Sequence, residues 1–355
     1  MNTPINIKTI LPGGKVMKQR FFSLMIFVLA AFLVVGCSSD TTGGDNEKAD
    51  GQSSEKTVLK VGHVWPNSEI HAQAVQRFKD EVEELSEGRL VIEIYENGSL
   101  GDDRDLLEGL KIGTADIWVG GAGVLSGSSE TAQIFTVPFM FDDQAHFDKV
   151  YNGEVGEEIS KRINEESGYQ VLSYWVRGAR MLTVNQEVNT PDDLKGLRIR
   201  VPDSPVFVNS WRMLGASPTP MAFGEVFTSL QQGVIEGQEN PLSLIYNSRF
   251  NEVVDYLVLT EHVREPISIV INDAKLQALD SELQEILFAA ANGNAKSYAA
   301  NEVLSGEQGY LDKLEEAGMN VITPDLAAFQ AQLEGFVDNE FPAVSEIYEM
   351  ILNAK

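Results

Sequence analysis

The sequence predicts an α/β fold, and three observations carry the prediction. Short apolar stretches of strand character recur, among them Val58 to Val64, Leu90 to Tyr95 and Pro266 to Asn272. Between them lie segments whose apolar residues fall at helical spacing, as Val75, Phe78, Val82 and Leu85 do. At 355 residues and 43% hydrophobic content, the chain has material for one large or two ordinary cores. Strands that alternate with helices build layered α/β domains with parallel pairing.

At the amino terminus, Met17-Lys18-Gln19-Arg20 precedes an apolar run from Phe21 to Val35. The run is short for a membrane span and has a basic front end, so residues 1–36 read as a signal peptide, with Met17 an alternative start. It finishes Leu33-Val34-Val35-Gly36-Cys37, which is similar to a lipobox. Cleavage before Cys37 would expose an amine and a thiol for acylation, giving a lipid anchor in the membrane. Ser38 to Lys56 holds almost no apolar residue and cannot bury enough surface to fold, so residues 37–57 are expected to be a flexible tether.

Cys37 is the sole cysteine, which excludes an internal disulfide and any cysteine-based metal cluster. The formal charge is −26, and the first 36 residues hold four basic residues and no acidic one, so the remainder carries −30. Such a surface repels nucleic acid, and no nucleic-acid partner is expected. It does not attract an acidic ligand either, so capture of an anion depends on a local cationic pocket.

Along the folded part, Val58 to Val64 is a first strand and His71 to Leu85 a helix that stops at Gly88. Leu90 to Tyr95 follows as a strand, Asn97-Gly98 makes a turn, and Gly101-Asp102-Asp103-Arg104 opens a helix whose acidic first turn suits the helix dipole. After a strand over Asp116 to Val119 comes Gly120-Gly121-Ala122-Gly123. Ser126 stands where a dinucleotide fingerprint starting at Gly121 needs its third glycine, so these glycines are read as allowing close approach of a ligand or backbone. Gly156 to Ile163 is helical, and Gln170 to Trp175 is a strand expected to run on through Gly178-Ala179-Arg180 to Thr183. Thr190-Pro191-Asp192-Asp193-Leu194 supplies a cap residue, a first-turn proline and acid for a short helix. Asp280 to Leu304 reads as one long amphipathic helix, and Asp325 to Ile351 as a helix broken near Pro342.

Lys195 to Pro241 is the stretch on which the chemistry rests. Leu197, Ile199 and Val201 alternate with Arg198 and Arg200, so a short strand presents two guanidinium groups from one face. A guanidinium on a rigid strand can take a carboxylate through two parallel charge-assisted bonds. Period-two geometry cannot choose between the two arginines. Arg200 is favoured by its place at the carboxyl end, before Val201-Pro202, where ligands of open α/β sheets collect. Further on, Gly215 to Phe223 gives a rigid loop, a helix starts after Phe223, and a strand delivers Glu239 and Asn240 to its carboxyl end.

The segments Arg200-Val201-Pro202, Pro220-Met221-Ala222-Phe223 and Gly237-Gln238-Glu239-Asn240-Pro241 resemble the signature of the solute receptors of tripartite ATP-independent periplasmic (TRAP) transporters, the dicarboxylate-receptor family. The resemblance extends over nearly all of Val58 to the carboxyl end. It implies that Arg200 binds the ligand carboxylate, Asn240 adds a hydrogen bond, Phe223 packs on the ligand, and Arg180, in a matching Gly-x-Arg segment, also approaches it. Gly98 to Asp103 matches a structural turn of the family. Where the sialic-acid branch carries a Glu, this chain has Gly120-Gly121, which argues against sialic acid. The implied architecture is a two-lobed periplasmic-binding-protein-like receptor with discontinuous domains, a long bracing helix and a central cleft. Residues 58–177 with 266–305 would form one lobe, and residues 178–265 with 306–355 the other.

No catalytic set is legible. His63, His71, His146 and His262 lack the spacing of a metal pair, and Ser126 lacks the flanking glycines of a nucleophile elbow. What remains is binding without turnover, metal or cofactor, and the resemblance implies an extracytoplasmic receptor that captures an organic acid and delivers it to small and large membrane permease subunits. The ligand could be a C4-dicarboxylate, a uronic acid or a keto acid. A receptor that hands the acid to a sensor partner would share every binding residue.

Overall fold

The computed structural model describes residues 56–354. The expected signal peptide, Cys37 and all but the end of the expected tether lie outside the described residues. Four strands come first: β1 (Thr57–Gly62), β2 (Leu90–Tyr95), β3 (Ile117–Gly121) and β4 (Tyr169–Trp175). Then follow β5 (Arg180–Val184), β6 (Arg198–Val201), β7 (Ser217–Pro220), β8 (Gly237–Pro241) and β9 (Tyr256–Val263), and lastly β10 (Ile267–Asn272) and β11 (Asn320–Ile322).

They build two sheets, a five-stranded one ordered β2-β1-β3-β10-β4 and a six-stranded one ordered β11-β9-β5-β8-β6-β7. Pairing of β1 with β2 and β3 is parallel, as expected, whereas β10 runs antiparallel to both its neighbours. The reason is its entry: β10 arrives from β9 of the other sheet after only residues 264–266 and so enters from the opposite end. Residues 176–179 make the reverse passage, from β4 to β5. The single strand expected from Gln170 to Thr183 is thus two strands in two sheets. Sequence periodicity missed the break because both halves are buried and apolar, which reads as one continuous run.

The expected long helix also divides. Ser281–Asn292 and Asn294–Glu316 meet at Gly293, whose φ of −91° and ψ of −127° leave the helical region. The second helix starts on a borrowed cap, since Glu81 of the neighbouring helix Ile70–Leu85 accepts the Asn294 backbone N–H at 2.9 Å. A Cβ at 293 would lie 2.3 Å from that carboxylate. At 23 residues, Asn294–Glu316 runs twelve residues past the expected end at Leu304. The carboxyl-terminal segment is likewise more divided than expected, into Leu326–Gln332, Phe336–Glu340 and Ser345–Leu352, with breaks at Gly335, where φ is +71°, and at Pro342.

Apolar burial follows from these layers. Val75, Phe78 and Val82 share one buried cluster with Leu287 and Ala291 of the bracing helix and with Ile92 and Ile269 of the first sheet. Each such side chain, fully buried, contributes about 1.5–3 kcal/mol. The last helix returns to the first sheet's surroundings: Ile351 O lies 2.8 Å from His146 Nε2, and Arg162 donates to Glu346 at 3.1 Å.

Candidate functional site

The two passages between the sheets and the ends of β6 and β8 converge on one cavity of about 40 Å³. Its walls include Arg177, Arg180, Arg200, Asn240, Phe223 and Glu265. Arg200, Arg180, Asn240 and Phe223, singled out in the sequence at widely spaced positions, are therefore brought together. The space continues toward a mouth lined by Asp102, Arg104, Asp203 and Met221.

Arg200 owes its place to β6, an inner strand flanked by β7 and β8, on which Ile199 and Val201 are fully buried. Its side chain is 4% exposed, and Nε and Nη2 both donate to Met221 O, at 3.0 and 2.7 Å. One edge of the guanidinium is thereby fixed, and the Nη1 end of the fork keeps its donors. Arg200 takes part in no ion pair among the described residues. Burial accordingly pulls its pKa down to about 10, low for an arginine yet still charged at neutral pH.

The other two arginines are spoken for. Arg180, 1% exposed, forks onto both carboxylate oxygens of Glu239, donates to Glu239 O at 2.7 Å and to Glu265 Oε1 at 2.8 Å, and lies over the Phe207 ring. Arg177 donates to Glu265 Oε1 and reaches Asn240 Oδ1 at 3.3 Å. Although burial acts against its charged form, Arg180 and His262 hold the Glu239 carboxyl down at about 2. His262 Nε2 sits 3.1 Å from Glu239, and its Nδ1 lies 2.8 Å from Thr260 Oγ1. Asn240 is oriented in turn by Gln238, whose Oε1 accepts from Nδ2 at 2.6 Å. Phe223 is half-buried, edge-on to Phe250, and borders both the cavity and its mouth.

Chemically, Arg177 and Arg180 are ion-paired with Glu239 and Glu265, and the guanidinium in no ion pair is Arg200, with the Asp103 carboxylate on the same cavity wall. A desolvated cation with open donors stabilises an anion far more than an exposed one would. The glycine run at the end of β3 has a role here as well. A Cβ at Gly121 would come within 2.7 Å of Arg177 Nη1, and one at Gly123 within 3.1 Å of Glu265 Oε2, which accepts the Gly123 N–H at that same distance. At Gly121 it is the ion network that comes close, whereas the Trp118 ring crowds Gly120 and Thr136 Cγ2 lies nearest Gly123.

Residues 61–342 match the family described as bacterial extracellular solute-binding protein, family 7. The chain belongs to that family. The 2,3-diketo-L-gulonate-binding periplasmic protein of Escherichia coli is 34% identical over 285 residues, covering 80% of this chain and 86% of its own. Among solved structures, a TRAP periplasmic solute-binding protein from Roseobacter denitrificans with bound L-galactonate is 38% identical, with a TM-score of 0.80 over 84% of this chain and 99% of its own. Another, from Xanthobacter autotrophicus with bound β-D-galacturonate, is 30% identical, with a TM-score of 0.80 over 84% and 100%.

As a family 7 protein the chain is an extracytoplasmic solute receptor of the TRAP type, with the two-lobed α/β fold expected, and it delivers an organic acid to the membrane permease. The members it resembles are binding proteins. Sequence reasoning missed Arg177, Glu239 and Glu265 as parts of the site. Their signal was present but diluted: two acids among 53 carboxylates, and an arginine three residues from the one already chosen.

Proposed function

We propose that this receptor takes a sugar acid, a polyhydroxylated chain with one carboxylate, and turns nothing over. The observation that carries the reading is the buried Arg200 guanidinium, fixed along one edge by Met221 and free of any carboxylate partner. The ligand carboxylate docks on its open end, Asn240 and Arg180 supply further donors, and Phe223 packs against the carbon chain. L-galactonate and β-D-galacturonate in the relatives' structures support the ligand class. A ligand held between the sheets favours the closed form and so signals loading to the permease.

The lobes proposed are residues 58–177 with 266–305 and residues 178–265 with 306–355. Sheet membership of the strands supports this division, while the contacts of Ile351 and Glu346 make the last helix a strap from the second lobe onto the first. Anchoring through Cys37, after removal of residues 1–36, is part of the same proposal.

Thermal shift across hexonates, hexuronates, C4-dicarboxylates and matched neutral sugars tests the reading. A hexonate or hexuronate at 100-fold over its dissociation constant should add about 2.7 kcal/mol of stability, and neutral analogues nothing. Stabilisation by a neutral sugar equal to that by its acid sinks the carboxylate assignment.

A further inference from the structure

We propose that Asp103 makes this site a filter for acids with a single carboxylate, because its own carboxylate borders the space in front of Arg200 and repels the second carboxylate of a diacid. The inference rests on the sugar-acid reading above and goes beyond it in naming what the site rejects and which residue does so.

Asp103 is the first residue of the helix Asp103–Ile112, and it borders both the cavity and the mouth, as Arg200 does. The helix is anchored by Asp102, whose side chain accepts from the Arg104 and Asp105 backbone N–H groups at 2.9 Å each. That cap is complete without Asp103, so the side chain of Asp103 has no part in holding the helix end. It accepts one hydrogen bond, from the buried Trp118 indole Nε1 to Oδ1 at 2.9 Å, which fixes the direction of the carboxylate. Among the described residues Oδ2 accepts none and Asp103 is in no ion pair.

Charge decides the consequence. Arg177, Arg180 and Arg200 bring three positive charges, and Glu239 and Glu265 cancel two. Asp103 cancels the third, so the empty site is neutral and a monoacid brings it to one negative charge. A diacid brings a second, with Asp103 on the wall it must approach. Burial, opposed by the Trp118 hydrogen bond, raises the Asp103 carboxyl to about 6, so it is ionised at pH 7.5. Two like charges about 5 Å apart at an effective dielectric constant of about 20 repel strongly enough to lower affinity at least 100-fold. An ionised Asp103 also accepts hydrogen bonds from hydroxyls, which a sugar acid offers at its far end and a diacid lacks at that carbon.

The test compares acids that share a carbon skeleton: galactonate with galactarate, and glucuronate with glucarate, by calorimetry at pH 7.5. The wild type should bind the better monoacid at least about 100-fold more tightly than its diacid. Asp103→Asn, which keeps an oxygen for the Trp118 N–H, should narrow that ratio to within about tenfold, while Asp312→Asn, an equal charge change on the exposed face of the helix Asn294–Glu316, should leave it unchanged. A wild-type ratio under about tenfold overturns the filter, as does an unchanged ratio in Asp103→Asn with an intact melting midpoint. If no monoacid binds the wild type while a neutral sugar does, it is the sugar-acid reading that fails.

Discussion

Arg198 and Arg200 stand two residues apart on one strand, yet Arg198 is 49% exposed and pairs with Glu236, whereas Arg200 is 4% exposed and pairs with no carboxylate. Strand pleating alone would treat them alike. The difference is position along the strand: Arg198 meets the exposed loop at Gly233, to whose carbonyl it donates at 2.9 Å, and Arg200 reaches the carboxyl end between β7 and β8.

From this contrast, Arg200→Ala should weaken organic-acid binding by about 2–5 kcal/mol, and Arg198→Ala by less than about 1 kcal/mol. Arg200→Lys should also fail, because an ammonium cannot hold Met221 O and a carboxylate with one planar fork. Calorimetry on the three variants, each with its unfolding midpoint measured without ligand, decides the matter. Greater damage from Arg198→Ala would move the anchor elsewhere.

Acid should destabilise the receptor in two separable windows. Burial holds His63 down at about 4, so its contribution is whole above the unfolded value of 6.5 and is lost as the pH falls through 4. Glu239, held at about 2 against an unfolded 4.5, contributes from 4.5 upward and loses that contribution as the pH falls toward 2, a swing on the order of 3 kcal/mol. Urea midpoints from pH 8 to pH 2.5 should therefore fall in two stages. Glu239→Gln should lose about 3–5 kcal/mol at pH 7, because Arg180 is left half-paired in the core, and should flatten the lower stage. A variant as stable as wild type at pH 7 would contradict the view that this pair is structurally required.

The strands that carry the site were legible because their ends are marked by residues with few alternatives: Val201-Pro202 closes β6, and Asn240-Pro241 closes β8. The four arginine, asparagine and phenylalanine positions could be named from one dimension. What could not be read was the pairing. Glu239 and Glu265 are 26 residues apart and become partners of the same arginine only because β8 is antiparallel to β5 and residues 264–266 turn back between sheets. The break at Gly293 was hidden for a similar reason, since its cause is Glu81 on another helix.

Cys37 lies outside the described residues, and its acylation stands as a proposal from the Val34 to Cys37 segment. Metabolic labelling with a palmitate analogue should mark the wild type and leave Cys37→Ser unmarked. Equal labelling of the two would remove the anchor from the account and leave a freely diffusing receptor.

The last prediction concerns Gly121, the last residue of β3, which borders the cavity beside the ion network. Gly121 leaves room for the Arg177 guanidinium and the Glu265 carboxylate, at 2.7 and 3.0 Å from where a Cβ would sit. Gly121→Ala must displace that pair, and both partners are less than 9% exposed and bound to each other, so one cannot shift without the other. Overpacking of this kind costs about 1–3 kcal/mol of stability. The sharper consequence is for binding, because Glu265 also takes a donor from Arg180, so displacing it shifts the wall that faces Arg200. Gly127→Ala, at a neighbouring position with open space around its Cβ, is the control and should leave both properties near wild type. Gly121→Ala should therefore bind the organic acid at least about tenfold more weakly, by the 1.4 kcal/mol that such a factor represents. Wild-type affinity in Gly121→Ala would mean that the ion network can move without moving the site, and that the glycine run serves the backbone alone.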